Sequence, residues 1–148
     1  MEKENSVLVL GVGPDQGLGV ALCKKFAEEG FRVFGCGRNI ENMMALDKLS
    51  VESGSIEGMV ADVTNPGDVS KLFEEIDKTQ TVLKSVIYNA GNNNASPFLE
   101  MDLAFFQDLW EVCAKGAFLI SQQAIPRLLN EGGSIIFTGA TASIRLSL

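Results

Sequence analysis

The sequence predicts an α/β fold in which helices cover both faces of a doubly wound parallel sheet. Five short apolar runs that suit buried strands alternate with longer segments whose apolar residues recur at helical spacing. Strands separated by single helices imply right-handed crossovers and parallel pairing. Because the runs are apolar along their whole length, both faces of the sheet should be buried.

The first half of the chain supplies three of the five predicted strands and three predicted helices. The third helix has the clearest start, because Asn65 suits the N-cap and Pro66 suits the first helical position. In the second helix, Met43 and Met44 are expected to pack in the core. The strands are expected at 7–12, 31–36 and 56–63, and the helices at 18–30, 40–52 and 66–78.

The second half contributes one strand before a long helix and one after it. The long helix is apolar around more of its circumference than one sheet face requires, so Phe106, Trp110 and Ile120 are expected to belong to a second buried face. No repeat or internal linker interrupts the chain, which predicts a single domain over residues 1–148. The strands are expected at 83–91 and 132–139, and the helix at roughly 102–129, after a polar loop.

The composition excludes several classes of function. With a net charge of −7 and no long apolar stretch, the chain is not expected to bind nucleic acid or a membrane. It has no histidine, which rules out Ser-His-Asp and Cys-His catalysis and histidine-ligated metals, and no metal site is predicted. Its three cysteines, Cys23, Cys36 and Cys113, are far apart, which favours reduced thiols and a cytoplasmic location. Cys113 is expected to be buried in the core.

A glycine-rich loop connects the first predicted strand to the first helix. Gly11 and Gly13 match the start of the dinucleotide fingerprint G-x-G-x-x-G, but Gln16 stands where its third glycine belongs. A second spacing, Gly13-x-x-x-Gly17-x-Gly19, fits throughout. Such a loop lets backbone N–H groups and the helix N-terminus face a phosphate. A turn that serves only close helix–strand packing is the alternative interpretation.

Five stretches, in order along the chain, resemble motifs of the short-chain dehydrogenase/reductase family. GVGPDQGLG at 11–19 resembles its T-G-x-x-x-G-x-G motif, ADVT at 61–64 its third-strand end, and YNAG at 88–91 its N-N-A-G motif. VCAKGAF at 112–118 and GGSIIFTGATAS at 132–143 resemble its long helix and fifth strand, the latter in an atypical subgroup with an incomplete catalytic tetrad. The resemblance implies a Rossmann-like fold and hydride transfer between a nicotinamide cofactor and a small carbonyl or alcohol substrate.

The resemblance also implies an Asn-Ser-Tyr-Lys catalytic tetrad, which this sequence does not reproduce. Cys113 stands at the asparagine position and Ala140 at the serine position, with Thr141 and Ser143 as the nearest hydroxyl candidates. The Tyr-x-x-x-Lys pair would follow Leu148. We therefore expect the chain to correspond to the N-terminal cofactor-binding portion of the family fold, without its C-terminal strands. Alone, it is expected to be inactive, with a poorly ordered tail after the fifth strand.

The cofactor is expected to be NADP(H) rather than NAD(H). Gly37 occupies the position of the acid that binds the NAD ribose, and Arg38, which follows it, can pair with the 2′-phosphate of NADP. A solvated surface arginine is the alternative. Asp62 is expected either to contact adenine or to cap the local turn. The predicted cofactor-binding residues are Gly13, Gln16, Gly17, Leu18, Gly19, Arg38, Asp62, Val63, Asn89, Ala90 and Gly91.

Two other functions remain open at this point. A nucleotide-binding sensor or regulatory protein could keep the fold without the tetrad, as the missing asparagine and serine suggest. A methyltransferase would also place glycines after its first strand, but Gly37 and Arg38 replace the acid that its cofactor ribose usually requires. The resemblance to the dehydrogenase family also implies a homo-oligomer formed through the long helix at 102–129.

Overall fold

The predicted architecture is confirmed by a computed structural model, which describes residues 3–92 and 94–140. The strands are β1 Asn5–Leu10, β2 Arg32–Gly37, β3 Ser55–Val60, β4 Val82–Tyr88 and β5 Ser134–Phe137. Within the described residues, these five strands pair in parallel in one sheet, in the order β3-β2-β1-β4-β5. The expected disorder of the tail concerns residues 141–148, which lie outside the described residues.

Helices cover both faces of the sheet, as in a Rossmann-like fold. Along β1, Val7 and Val9 pack towards one face while Leu8 and Leu10 pack towards the other, and all four are fully buried. The helices are α1 Leu18–Glu28, α2 Ile40–Leu46, α3 Pro66–Lys78, α4 Leu103–Trp110 and α5 Gly116–Glu131. The first face is covered by α1 and α2, and the second by α3 and α5.

The predicted start of α3 is confirmed, whereas α2 is shorter than predicted. The Oδ1 atom of Asn65 accepts hydrogen bonds from the first-turn N–H groups of α3. The second helix ends at Leu46 rather than near residue 52. Just beyond it, the Asp47 carboxylate accepts a hydrogen bond of 2.5 Å from Gly58 N–H in β3. The Ser53 hydroxyl donates to the Glu28 carbonyl at 2.6 Å. These tertiary hydrogen bonds hold the chain after Leu46 in a non-helical path, so α2 ends earlier than its apolar spacing predicts.

The predicted long helix is present, but it contains an irregular turn. Between α4 and α5 the residues Glu111–Lys115 form a π-helical turn, called here the π segment. The resulting helical stretch extends from Leu103 to Glu131 and contacts α3. A bidentate ion pair between Arg127 and Asp77, at 2.6 and 2.8 Å, ties α5 to α3.

Several predicted core positions are exposed instead. Met43 is buried, but Met44 on the next face of α2 is 55% exposed. Ile120 belongs to the main core, whereas Phe106 and Trp110 face outwards with about half of their surface exposed. The expected second buried face of the long helix is therefore open within this chain. Among the described residues, no helix combines the length and hydropathy needed to cross a membrane.

The topology brings the ends of β1, β2 and β4 together at one edge. The chain moves outwards from β1 to β2 and β3, then returns to pair β4 with the other side of β1. The strand order therefore reverses between β1 and β4. In open parallel sheets, ligands bind beyond the carboxyl ends of the strands at such a switch.

Candidate cofactor site

A cavity of about 900 Å³ opens at this switch point. Its wall is formed by the ends of β2, β4 and β5 and the loops that follow the five strands, by the start of α1, by Asn42 of α2 and by two residues of the π segment. Ten of the eleven predicted cofactor-binding residues line it. The exception is Gln16, which is exposed at the outer side of the glycine loop and does not belong to the lining.

The glycine loop exposes the start of α1 to the cavity. Gly17 is the N-cap of α1, has an extended backbone and provides no side chain to cap the first-turn N–H groups. A Cβ atom on Gly19 would lie 2.9 Å from the carbonyl oxygen of Gly11, so the loop wraps closely around the start of the helix. Uncapped N–H groups and the positive end of the helix dipole form a suitable site for an anion.

Gly11 and Val12 belong to the same wall but were not among the predicted site residues. Gly11 has a φ of +78° and has no room for a side chain, because the backbone of Ala90 lies against it. The Val12 N–H donates to the Cys36 carbonyl at 2.9 Å, which ties the loop to the end of β2. Gly11 matches the first glycine of the fingerprint G-x-G-x-x-G. The predicted site residues followed the other spacing, which begins at Gly13 and therefore leaves Gly11 out.

Arg38 stands at the cavity wall immediately after β2. Its side chain is exposed and, within the described residues, it takes part in no ion pair or hydrogen bond. A Cβ atom on the preceding Gly37 would collide with the carbonyl oxygen of Val12 and lie 3.0 Å from the Cε atom of Met43. Position 37 therefore has no space for an acidic side chain unless the glycine loop moves.

Asp62 lines the cavity and also caps the local turn, which was the alternative expected for it. Its Oδ1 atom accepts hydrogen bonds from the Thr64 N–H at 2.9 Å and the Thr64 hydroxyl at 2.8 Å. Partial burial opposes ionisation, but these bonds and the positive charges of Arg38 and Lys115 leave the pKa of Asp62 below its usual value. The carboxylate therefore stays charged at neutral pH.

Asn89 joins the ends of three strands beneath the cavity. Its side-chain nitrogen donates to the Gly11 carbonyl at 3.3 Å, and its side-chain oxygen accepts from the Thr138 hydroxyl at 3.1 Å. These bonds fix the ends of β1 and β5 relative to β4. Ala90 and Gly91 continue the wall towards solvent, and a Cβ atom on Gly91 would meet nothing within 4 Å among the described residues.

The predicted catalytic positions are only partly described. Ala140 lines the cavity, while Thr141 and Ser143 lie outside the described residues. The expectation that Cys113 is buried is wrong, because its side chain is exposed and lines the cavity next to Val112. In the described part of the chain, no cluster of three acidic, cysteine or histidine residues could hold a metal ion.

The fold and the site together define the class of protein. The family model for short chain dehydrogenases matches residues 6–146. The chain belongs to the short-chain dehydrogenase family.

Individual relatives agree with this assignment. An uncharacterized oxidoreductase of Bacillus subtilis, YuxG, is 31% identical over 93% of this chain and 21% of its own length. An NADPH-dependent 1-acyldihydroxyacetone phosphate reductase of Schizosaccharomyces pombe is 28% identical over 97% of this chain and 47% of its own length. The crystal structure of a short-chain dehydrogenase from Rhodopseudomonas palustris is 34% identical, with a TM-score of 0.83 over 95% of this chain and 66% of that one. The chain spans about half the length, or less, of these two curated relatives.

Proposed function

We propose that this chain forms the NADP(H)-binding portion of an oxidoreductase that acts on a carbonyl or alcohol substrate. The observation that carries the proposal is the Arg38 side chain, which makes no ion pair or hydrogen bond with any described residue and lines the same cavity as the uncapped start of α1. The two features suit the two phosphate sites of NADP(H), a pyrophosphate and a 2′-phosphate.

The pyrophosphate is proposed to lie against Gly13, Gly17, Leu18 and Gly19. Gly13 lines the cavity and leaves open space where a side chain would stand. The positive end of the α1 dipole favours the charge of the pyrophosphate. When bound, the nicotinamide ring would supply the hydride-transfer chemistry, and the residues of this chain hold and orient the cofactor.

The 2′-phosphate is proposed to pair with Arg38. A guanidinium can make two parallel charge-assisted hydrogen bonds to a phosphate, and that of Arg38 makes no ion pair or hydrogen bond with any described residue, although it interacts electrostatically with Asp62. The closed space at Gly37 disfavours the acidic residue that would select NAD(H). The Schizosaccharomyces pombe relative, named as NADPH-dependent, is in keeping with this preference.

The remaining predicted contacts complete the proposed binding mode. Asp62 and Val63 would flank the adenine ring, and 89–91 would form the wall beside the nicotinamide ribose. Both groups lie at the carboxyl ends of strands that border the cavity. Gln16 contributes no wall to this cavity, so the proposed contacts do not depend on it.

A direct binding titration tests the proposed function. Calorimetry with NADPH should give a saturable signal with one site per chain, and S-adenosylmethionine should give none. The same titration with NADH should show weaker binding. Absence of any NADPH signal from folded protein would contradict the proposal, and binding of S-adenosylmethionine alone would favour a methyltransferase.

The 148-residue chain alone is predicted not to turn over carbonyl substrates. It contains one tyrosine, Tyr88, which is buried and donates its hydroxyl to a backbone carbonyl. A positioned general acid typically contributes a factor of about 10² to 10⁴ to the rate. NADPH mixed with ketones or quinones should therefore show no oxidation above background. Turnover that disappears in Thr141→Ala or Ser143→Ala would contradict this prediction.

A nucleotide-binding regulatory protein is the second candidate function. The observation that favours it is the identity of the cavity residues at the expected asparagine and serine positions, which are Cys113 and Ala140. Both candidates predict the same NADP(H) binding. A catalytic Tyr-x-x-x-Lys pair in sequence that follows Leu148 would distinguish the oxidoreductase from the regulatory protein.

The long helix at 102–129 is proposed to mediate homo-oligomer formation. Its outer face exposes a row of large apolar side chains, of which Phe106, Trp110 and Phe118 are each more than half exposed. A row of this kind favours burial against a second copy. Sedimentation should detect an oligomer that Trp110→Glu weakens. A chain that remains monomeric at high concentration would contradict this proposal.

The unpaired cysteines are compatible with the proposed cytoplasmic location.

A further inference from the structure

The π segment leaves one backbone carbonyl without its helical donor. The Gly116 N–H donates to the Glu111 carbonyl, five residues earlier. In an α-helix the same N–H would donate to the carbonyl of Val112, four residues earlier. The Val112 carbonyl thus loses its α-helical donor and can accept from another group, and buried carbonyls are rarely left without one.

Tyr88 supplies that donor from the sheet. Its hydroxyl, at the end of β4, donates to the Val112 carbonyl. The side chain is only 3% exposed, and burial raises the pKa of the phenol well above its usual value. The hydroxyl consequently remains a protonated donor throughout the physiological range. The bond connects the last residue of a central strand to the irregular turn of the long helix.

Gly116 permits this close approach. A Cβ atom at position 116 would collide with the Tyr88 hydroxyl and lie 3.0 Å from a methyl group of Val63. A tyrosine at 88 and a glycine at 116 thus form a matched pair. The tyrosine hydroxyl fits because the helix has no side chain there.

The π segment carries part of the cavity wall. Val112 and Cys113 both line the cavity. Each residue of a helix is turned by about 100° from the one before it. A change in the hydrogen bonding of this turn would therefore rotate Cys113 relative to the wall.

We propose that Tyr88 is a positioning residue, whose hydroxyl anchors the π segment to β4 and thereby places Val112 and Cys113 on the cavity wall. The anchor is a contact between residues of this chain and requires no cofactor. Its effect on cofactor binding, by contrast, rests on the proposed function. Helical π turns are found frequently at functional sites, which suits a turn that shapes a ligand cavity.

Hydrogen exchange of the Tyr88→Phe variant tests the anchor without any cofactor. Loss of the hydroxyl removes its hydrogen bond to the Val112 carbonyl, so amides in 111–116 should exchange about tenfold faster, the factor that corresponds to one hydrogen bond. The matched control is Ile87→Val, which removes a methyl group from the neighbouring buried residue of β4. Any general loss of stability raises exchange in both variants. Unchanged or slower exchange of 111–116 relative to Ile87→Val would overturn the proposal.

A double-mutant cycle covers the case in which Tyr88→Phe folds poorly. Gly116→Ala should lower the melting temperature strongly in the original chain and less in the Tyr88→Phe background, where the collision with the hydroxyl is relieved. Equal losses in both backgrounds would show that the contact with Val63 alone excludes a side chain at 116, and this would overturn the pairing.

Alkylation of Cys113 connects the anchor to the cofactor. It is the exposed cysteine, whereas Cys23 and Cys36 are buried, and burial raises the pKa of each of these thiols to about 12. NADPH should slow the alkylation of Cys113 in the original chain, and it should slow it less in the Tyr88→Phe variant. Failure of NADPH to bind the original chain would contradict the proposed function and leave the hydrogen-exchange result to decide the anchor. NADPH binding with equal protection in both chains would overturn the positioning role.

Discussion

Gly13→Val is expected to abolish NADPH binding while the protein remains folded. Gly13 lines the cavity, and a Cβ atom built there meets no described heavy atom within 4 Å. The added isopropyl group would therefore fill the proposed pyrophosphate space without disturbing the protein. We expect an affinity loss of at least about 100-fold, or roughly 2.8 kcal/mol, by calorimetric titration.

A variant on the solvent side of α1, the helix that follows the glycine loop, is the control for Gly13→Val. Ala21→Val adds similar bulk to α1 at an exposed position outside the cavity. It should bind NADPH as the original chain does, and both variants should melt within a few degrees of it. NADPH affinity that survives Gly13→Val would contradict the proposed pyrophosphate position.

Arg38→Asp is expected to remove the preference for NADPH. A charge-assisted bidentate pair contributes roughly 1.5–3 kcal/mol, so the original chain should bind NADPH about ten- to a hundredfold more tightly than NADH. A carboxylate at 38 repels the 2′-phosphate but can accept a hydrogen bond from the ribose 2′-hydroxyl. NADH affinity should therefore be retained, and the original preference should decrease as salt concentration rises.

Lys24→Asp separates the local contact from general electrostatics. It makes the same change of charge at an exposed position on α1 that does not line the cavity. The NADPH preference should persist in this variant. Equal affinities for the two cofactors in the original chain would instead support the alternative interpretation of Arg38 as a solvated surface residue.

The sequence was informative about the sheet because burial on both faces leaves a direct pattern. The apolar residues of β1 alternate between two cores, which explains an uninterrupted apolar run such as 7–10. The end of α2 was mispredicted because it is set by partners distant in sequence, above all the bond from Gly58 to Asp47. The π segment was missed for the same reason, since the donor for its carbonyl lies on β4.

The candidate site was predictable where backbone geometry demands a residue type. Gly17 and Gly19 stand at the start of α1, and the closed space at Gly37 accounts for the missing acid. Side-chain exposure was less predictable. Cys113 was expected in the core because its neighbours are apolar, but the irregular turn places it on the cavity wall.

The most direct test of the proposed cofactor site is a crystal structure of the chain grown with NADPH. The pyrophosphate is predicted to contact the backbone N–H groups at the start of α1, and the 2′-phosphate to contact the Arg38 guanidinium. Val112 and Cys113 should lie at the nicotinamide side. Cofactor density elsewhere on the protein, or a 2′-phosphate that points away from Arg38 into solvent, would contradict the proposal.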